Sequence, residues 1–172
     1  VTNRTLNILQ FGRIEEYKNL EFLIDLVSMN KNVSLVIAGS GKVSETVSKK
    51  IEKNENISLI NQFIDENLLS RLMSSSDAIS LMYSDITQTG LVDFAINHKK
   101  ILLLSKISEF ANIPGHKLVR HFDINSITNS CSELQSLLYD IEAGDIYMNE
   151  FDSLIPDSVE EWNRYADLIT KI

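Results

Sequence analysis

Three short stretches of this chain concentrate side chains able to handle a small anion. The first, FGRIEEYKN at 11–19, places Gly12, Arg13 and Lys18 in one loop. A glycine lets backbone approach a ligand closely, while an arginine fork and a lysine point charge could together grip a diphosphate. The same two cations also read as solvated surface charges beside Glu15, Glu16 and Glu21, and spacing alone favours that plainer reading. The second stretch, AGSGK at 38–42, sets two glycines between a strand and a helix, where free backbone N–H groups make a natural anion site. It is neither a Walker A sequence nor a complete GxGxxG, and by itself it supports only a tight strand-to-helix turn.

The third stretch, YSDITQTGLVDF at 83–94, is the richest. Ser84, Asp85, Thr87, Gln88 and Thr89 crowd the end of a strand, and Gly90 opens a helix whose first N–H groups face back toward the loop. Asp85 lies in that loop and Asp93 on the following helix. They read either as ligand-facing carboxylates or as a capping segment and a solvated helix residue. Other chemistry finds little support. His98, His116 and His121 lack metal-ligand spacing, Cys131 has no partner cysteine or histidine in a recognisable arrangement, and no GxSxG elbow is present. Met29, Met73 and Met82 read as core filling.

Loops of this kind need strands behind them, and the chain supplies strands at regular intervals. LNILQFG (6–12) is a short apolar run ending in glycine. Leu20, Leu23, Ile24 and Val27 then repeat at helical spacing behind Asn19, the expected N-cap. VSLVIAGSGK is a buried-strand run followed by a charged helix over 43–54. ISLI (57–60) is a third strand, and Asp65 caps a helix carrying Leu68, Leu69 and Leu72. DAISLMY (77–83) is a fourth strand, 90–97 a short helix, KILLL a fifth strand, and KLVRH a sixth before an amphipathic helix over about 126–142. AGDIYMNEFDSLIPD (143–157) is the one linker candidate, leading to a final helix over about 157–171, SVEEWNRYADLITKI.

Alternating strands and helices predict an α/β domain, a Rossmann-like doubly wound, mainly parallel sheet of about six strands with helices on both faces. Ligands bind such sheets outside the carboxyl ends of the strands, where all three loops fall. At 172 residues the chain holds one core, so 1–172 reads as a single domain. A net charge of -8 excludes non-specific nucleic-acid binding, which needs a basic face. Cys131 alone cannot form an intrachain disulfide, which points to a reducing compartment. No apolar run reaches membrane-span length, and the opening residues lack a signal-peptide pattern. Because the chain opens with Val1 shortly before an apolar strand, it reads as a piece of a longer protein.

Taken in order, the motifs resemble the C-terminal, nucleotide-sugar-binding domain of GT-B-fold retaining glycosyltransferases, the group 1 or family 4 class. That family has a strand leading into GR with a lysine five residues later, matched by Gly12, Arg13 and Lys18. It then has a strand reading LVIAGxG, matched over 35–41, and a pattern matched by ISLINQFIDENLLSRLMSSSDAISLMY. Last comes an E-x7-E region or its TQSG variant, matched by DITQTGLVDFA. The likeness covers 6–104 and returns at SVEEWNRYADLI.

The resemblance implies one half of a GT-B fold: a donor domain of an enzyme that transfers sugar from a nucleoside diphosphate sugar, UDP-linked in preference to GDP-linked, to a glycan or glycolipid. Arg13 and Lys18 would hold the donor diphosphate and Asp85 would face the donor sugar, making these three the implied catalytic residues. Gly12, Gly39, Gln88, Thr89, Gly90 and Leu91 would line the phosphates and sugar, Asp93 would accept from the ribose, and Phe63 with Ile64 would meet the base. No metal and no separate cofactor are implied. The acceptor domain would lie N-terminal to this chain, so the piece alone would transfer little. The whole enzyme would work in the cytoplasm, at the inner face of a membrane, on polysaccharide or lipopolysaccharide acceptors. The chain departs from the family where Asp replaces Glu at 85 and 93, where HKKIL replaces a G.PV segment, and where Asn61 replaces a usual glycine. Those departures leave open a degenerate, non-catalytic module of the same fold; a nucleotide-sugar epimerase fits the GR....K and TQTG loops less well.

Overall fold

The computed structural model describes residues 5–86, 89–113 and 115–146. Six strands form one sheet: β1 Leu6–Phe11, β2 Val33–Ala38, β3 Ile57–Ile60, β4 Ala78–Leu81, β5 Ile101–Ser105 and β6 Val119–Phe122. Among the described residues five α-helices connect or follow them: α1 Leu20–Ser28, α2 Glu45–Glu52, α3 Glu66–Ser75, α4 Leu91–Asn97 and α5 Ile127–Ala143. Every adjacent strand pair is parallel, in the order β3-β2-β1-β4-β5-β6. The chain starts at the centre, winds outward through β2 and β3, then returns to place β4 on the other side of β1. That reversal puts the topological switch point between β1 and β4, where the loops after both strands diverge.

The helices cover both faces, as a parallel sheet requires. Leu23, Ile24 and Val27 of α1, Val47 of α2, and Leu134 and Leu137 of α5 share one core with Ile8, Ile37 and Leu103 of the sheet. Met73 of α3 and Ala95 and Ile96 of α4 share the opposite core with Leu9, Ile79, Leu102 and Leu104. All five residues of β5 are buried, so ILLLS is a continuous apolar run because both of its faces are covered.

Local signals explain most boundaries. Asp65 Oδ1 accepts from the Leu68 N–H at 2.8 Å and Ser44 Oγ from Val47 at 3.2 Å, capping α3 and α2. The ladder of β4 stops at Leu81, although Met82 and Tyr83 remain fully buried beyond it. Two expectations change. Asn19 does precede α1, but its backbone is left-handed (φ 51°) and its side chain makes no cap bond. Asparagine is placed there because it tolerates this conformation at the junction of a 3-10 turn (Glu16–Lys18) with the helix. Met29 is 61% exposed rather than core, because it lies one position past α1, where the helical period no longer turns it inward. Met73 and Met82 are buried. The helix expected over about 157–171 lies outside the described residues. Among the described residues no helix is long and apolar enough to cross a membrane.

Candidate functional site

At the switch point two glycines touch. The Gly12 N–H continues the β1–β2 ladder by donating to the Ala38 carbonyl at 3.0 Å, and its φ of 98° turns the chain out of the sheet. A Cβ on Gly39 would lie 2.0 Å from the Gly12 carbonyl oxygen, so only glycine permits the β2 loop to cross the β1 loop this closely. Gly39 spends its own N–H on the Ile60 carbonyl, at 2.9 Å. Its place in the site is to bring backbone together. Asn61, the residue in place of a glycine, closes the same turn by accepting from the Gly41 N–H and donating to the Gly41 carbonyl, at 3.2 and 3.1 Å.

Beneath Gly12 lies Lys18. The 3-10 turn folds its side chain back, so that Nζ donates to the Phe11 carbonyl at 2.9 Å and would stand 2.9 Å from any Cβ at position 12. The residue is only 4% exposed. Nζ sits 5.8 Å from the centre of the Tyr83 ring, within the range of a cation–ring attraction. Burial lowers its pKa to about 8, against a smaller opposing pull from Glu15. The Tyr83 ring meets Tyr17 edge-on at 5.2 Å and Phe110 at 6.2 Å; burial, then Tyr17, pushes its hydroxyl pKa up. Ser84 ties the two loops together: its N–H donates to the Tyr17 carbonyl at 2.8 Å and its hydroxyl to the same oxygen at 3.3 Å.

The other expected residues are more open. The Arg13 side chain is 78% exposed and donates to Glu15 at 3.3 Å, while Lys18 is buried, so the two cations occupy different environments. Asp85 is exposed in the loop after β4, and Asp93 is exposed in the first turn of α4. Thr89 Oγ1 accepts from the Leu91 N–H at 3.2 Å, and Gly90 has open space where a side chain would stand. Phe63 is 80% exposed in the loop after β3, whereas Ile64 packs on the α3–α4 core. Gln88 and Thr87 lie outside the described residues.

HKK has a structural explanation. His98 stacks on Phe94 with Nδ1 2.8 Å from the Phe94 carbonyl, Lys99 takes a left-handed φ of 53°, and Lys100 Nζ donates to the Ser76 carbonyl at 2.8 Å. Burial lowers the Lys100 pKa, with Asp77 acting the other way. A cavity of about 640 Å³ opens beside the site, but its rim carries Glu15, Glu16 and Glu21 against Lys42, a poor match for a diphosphate, and neither Arg13 nor Lys18 lines it. Direct contact therefore joins Gly12, Lys18 and Gly39, and Ser84 brings the loop of Asp85 to them. Tyr17 and Tyr83 are the participants that spacing did not reveal; an aromatic beside each polar loop was the available signal.

Solved structures share this fold. The C-terminal domain of LpcC, a glycosyl transferase group 1 family protein from Francisella tularensis, superposes with a TM-score of 0.71 at 16% identity, over 87% of this chain and 84% of that one. The chain has the fold of a GT-B glycosyltransferase C-terminal domain. The lipopolysaccharide outer core galactosyltransferase WaaB matches with a TM-score of 0.76 at 14% identity, over 99% of this chain and 51% of that one. The catalytic domain of starch synthase IV from Arabidopsis thaliana, solved with ADP and acarbose, matches with a TM-score of 0.72 at 12% identity, over 99% of this chain and 39% of that one. The GT-B domain fold here thus spans about half of the galactosyltransferase and less of the starch synthase. No protein-family model and no curated protein sequence matches the chain.

Proposed function

We propose that this chain is the nucleotide-sugar donor-binding half of a retaining glycosyltransferase that moves a sugar from a nucleoside diphosphate to a glycan or glycolipid acceptor. The observation that carries the reading is the Lys18 ammonium, buried beneath Gly12 at the carboxyl end of the central strand β1. Folding places a desolvated cation there, in a chain of net charge -8, and an anion brought to the switch point offsets that desolvation. In this reading Lys18 and Arg13 neutralise the charge that develops on the departing diphosphate, acting from a preorganised, partly dry site. Arg13 leaves Glu15 to do so. Asp85 faces the sugar, Asp93 the ribose, and the exposed Phe63 with Ile64 the base; Gln88, Thr89, Gly90 and Leu91 offer polar groups to the phosphates. No bound metal or separate cofactor takes part. UDP is the favoured carrier over GDP, and ADP, the nucleotide bound to the starch synthase domain, is the comparison to include. The acceptor is bound by a further domain, and the whole enzyme works in the cytoplasm at the membrane face.

Calorimetric titration with UDP, GDP and ADP tests this directly. Binding of at least one of them, weakened about tenfold or more by Lys18→Met or Arg13→Ala, is the expected result for charge-assisted phosphate contacts. Absence of binding at about millimolar nucleotide, a free energy near 4 kcal/mol, rejects the donor reading. A specific observation favours a second reading, a non-catalytic module of the same fold: the guanidinium of Arg13 is already paired with Glu15. Under that reading Arg13→Ala leaves nucleotide affinity unchanged.

A further inference from the structure

Tyr83 is 1% exposed, so its ring reaches no ligand directly. It nevertheless stands at the end of β4 with its face toward the Lys18 ammonium, and Tyr17 braces it edge-on from the loop after β1. The polar partner of that ammonium is the Phe11 carbonyl, at 2.9 Å. Glu15, the carboxylate that acts on it, is exposed and shared with Arg13. A neutral carbonyl and a ring face fix a cation's place without cancelling its charge, which remains available to an incoming anion.

We propose that Tyr83 is a positioning residue for the donor diphosphate, holding the Lys18 ammonium beneath Gly12 through its ring face while Tyr17 keeps that ring upright. This rests on the donor-binding reading. The two tyrosines come from the two loops that flank the switch point, and the Ser84 bonds to the Tyr17 carbonyl lock those loops together. The ring thus sets the position of the phosphate-binding cation relative to Asp85, which follows Ser84 in the chain. Replacing the ring by an aliphatic side chain removes the attractive face and frees the Lys18 side chain to leave its seat. The hydroxyl of Tyr83 is not required. The groups acting on this cluster are Glu15 and Tyr17 of the turn itself, Arg13 beside them, Tyr83 opposite, and the buried Gln10 of β1, which acts on the Tyr83 hydroxyl.

Two readouts on the whole 172-residue chain test the proposal. The first is an NMR titration of the Lys18 ε-methylene without ligand. Tyr83→Phe keeps the midpoint near about 8, whereas Tyr83→Leu and Tyr83→Met move it downward, because an aliphatic side chain leaves the seat apolar but offers no ring face to the protonated form. Where those variants fail to fold, Tyr17→Leu removes the brace alone and produces a smaller downward shift. The second is calorimetry with UDP and ADP. Tyr83→Leu and Tyr83→Met weaken binding about tenfold, the scale of a desolvated cation–ring contact, and Tyr83→Phe stays within about twofold. A merely structural tyrosine would lower the melting temperature and leave the Lys18 midpoint in place. An unmoved or raised midpoint, or equal losses in Tyr83→Phe and Tyr83→Leu, overturns the proposal. If nucleotides bind and Lys18→Met weakens them while the Tyr83 variants do nothing, the positioning role alone falls. If no nucleotide binds although the midpoint responds to Tyr83, the donor reading falls and the positioning role with it.

Discussion

Lys18 keeps its charge against its surroundings, and that makes the site sensitive to pH. Burial lowers its folded pKa to about 8 from an ordinary 10.5. Below about 8 both the folded and the unfolded chain carry the proton, and the desolvation penalty is present in full. Between about 8 and 10.5 the unfolded chain holds a proton that the folded chain has released, so this group's contribution to stability rises with pH. Anion binding has the opposite sign, because a diphosphate favours the protonated lysine. Its affinity is therefore expected to be full at neutral pH and to fall as pH rises above about 8. Calorimetry of wild type and Lys18→Met over that range isolates the effect, since titration of the nucleotide itself is common to both proteins. A decline of equal size in the two proteins would remove Lys18 from the phosphate site. The glycine and lysine spacing of this loop was legible in the sequence, but the burial was not. Spacing places Lys18 near Gly12 without saying that a 3-10 turn folds it under the glycine, and Tyr83 joins it from the segment just past β4, far along the chain.

Helices and strands hold these groups through junctions that make their own predictions. Asn19 joins the 3-10 turn of Lys18 to α1 in a left-handed conformation, without a side-chain cap. Serine substitutes well for asparagine as an N-cap but poorly in that backbone region. Asn19→Ser is accordingly expected to destabilise by about 1 kcal/mol while Asn19→Gly stays within a few tenths, read from urea unfolding. Equal, near-zero effects would restore the capping role. At the far side of the sheet, Arg120 of β6 is largely buried and bonds both Glu133, at 3.2 Å, and Asp140 of α5. Removing the guanidinium strands two carboxylates beside the sheet, so Arg120→Met is expected to cost about 2–3 kcal/mol, and adding Asp140→Leu to recover part of it. Additivity of the two changes would mean that this pair contributes nothing. The elements themselves were legible because the short apolar runs of β1 and β5 and the 3.6-residue period in α1 all report burial. Strand ends were less so: DAISLMY reads as one strand through Tyr83, yet its last residues are buried by packing at the site and leave the ladder after Leu81.

On the scale of the whole molecule, one sheet reversal sets the loops after β1 and β4 side by side on a single edge of an acidic domain. The gathering of the loops at the carboxyl ends of a parallel sheet was legible from strand and helix alternation, although the strand order that creates the switch point was not, because pairing partners leave no trace in periodicity. A chain that spans about half of the galactosyltransferase it resembles is expected, as a donor half, to bind nucleotide while transferring little sugar by itself. Binding to the folded state alone raises stability by RT ln(1 + [L]/Kd), about 2.7 kcal/mol at a hundredfold excess over Kd. For a domain of this size that corresponds to a rise in melting temperature of roughly 5–10 °C. The donor-binding nucleotide should produce this rise at neutral pH, a smaller rise at pH values well above about 8, and about half of it or less in Lys18→Met. The protein without nucleotide should change with pH in the opposite direction where Lys18 dominates, because losing its proton relieves the buried charge. A nucleotide-induced rise that is independent of pH and survives Lys18→Met would place the nucleotide elsewhere on the molecule and detach the buried lysine from function.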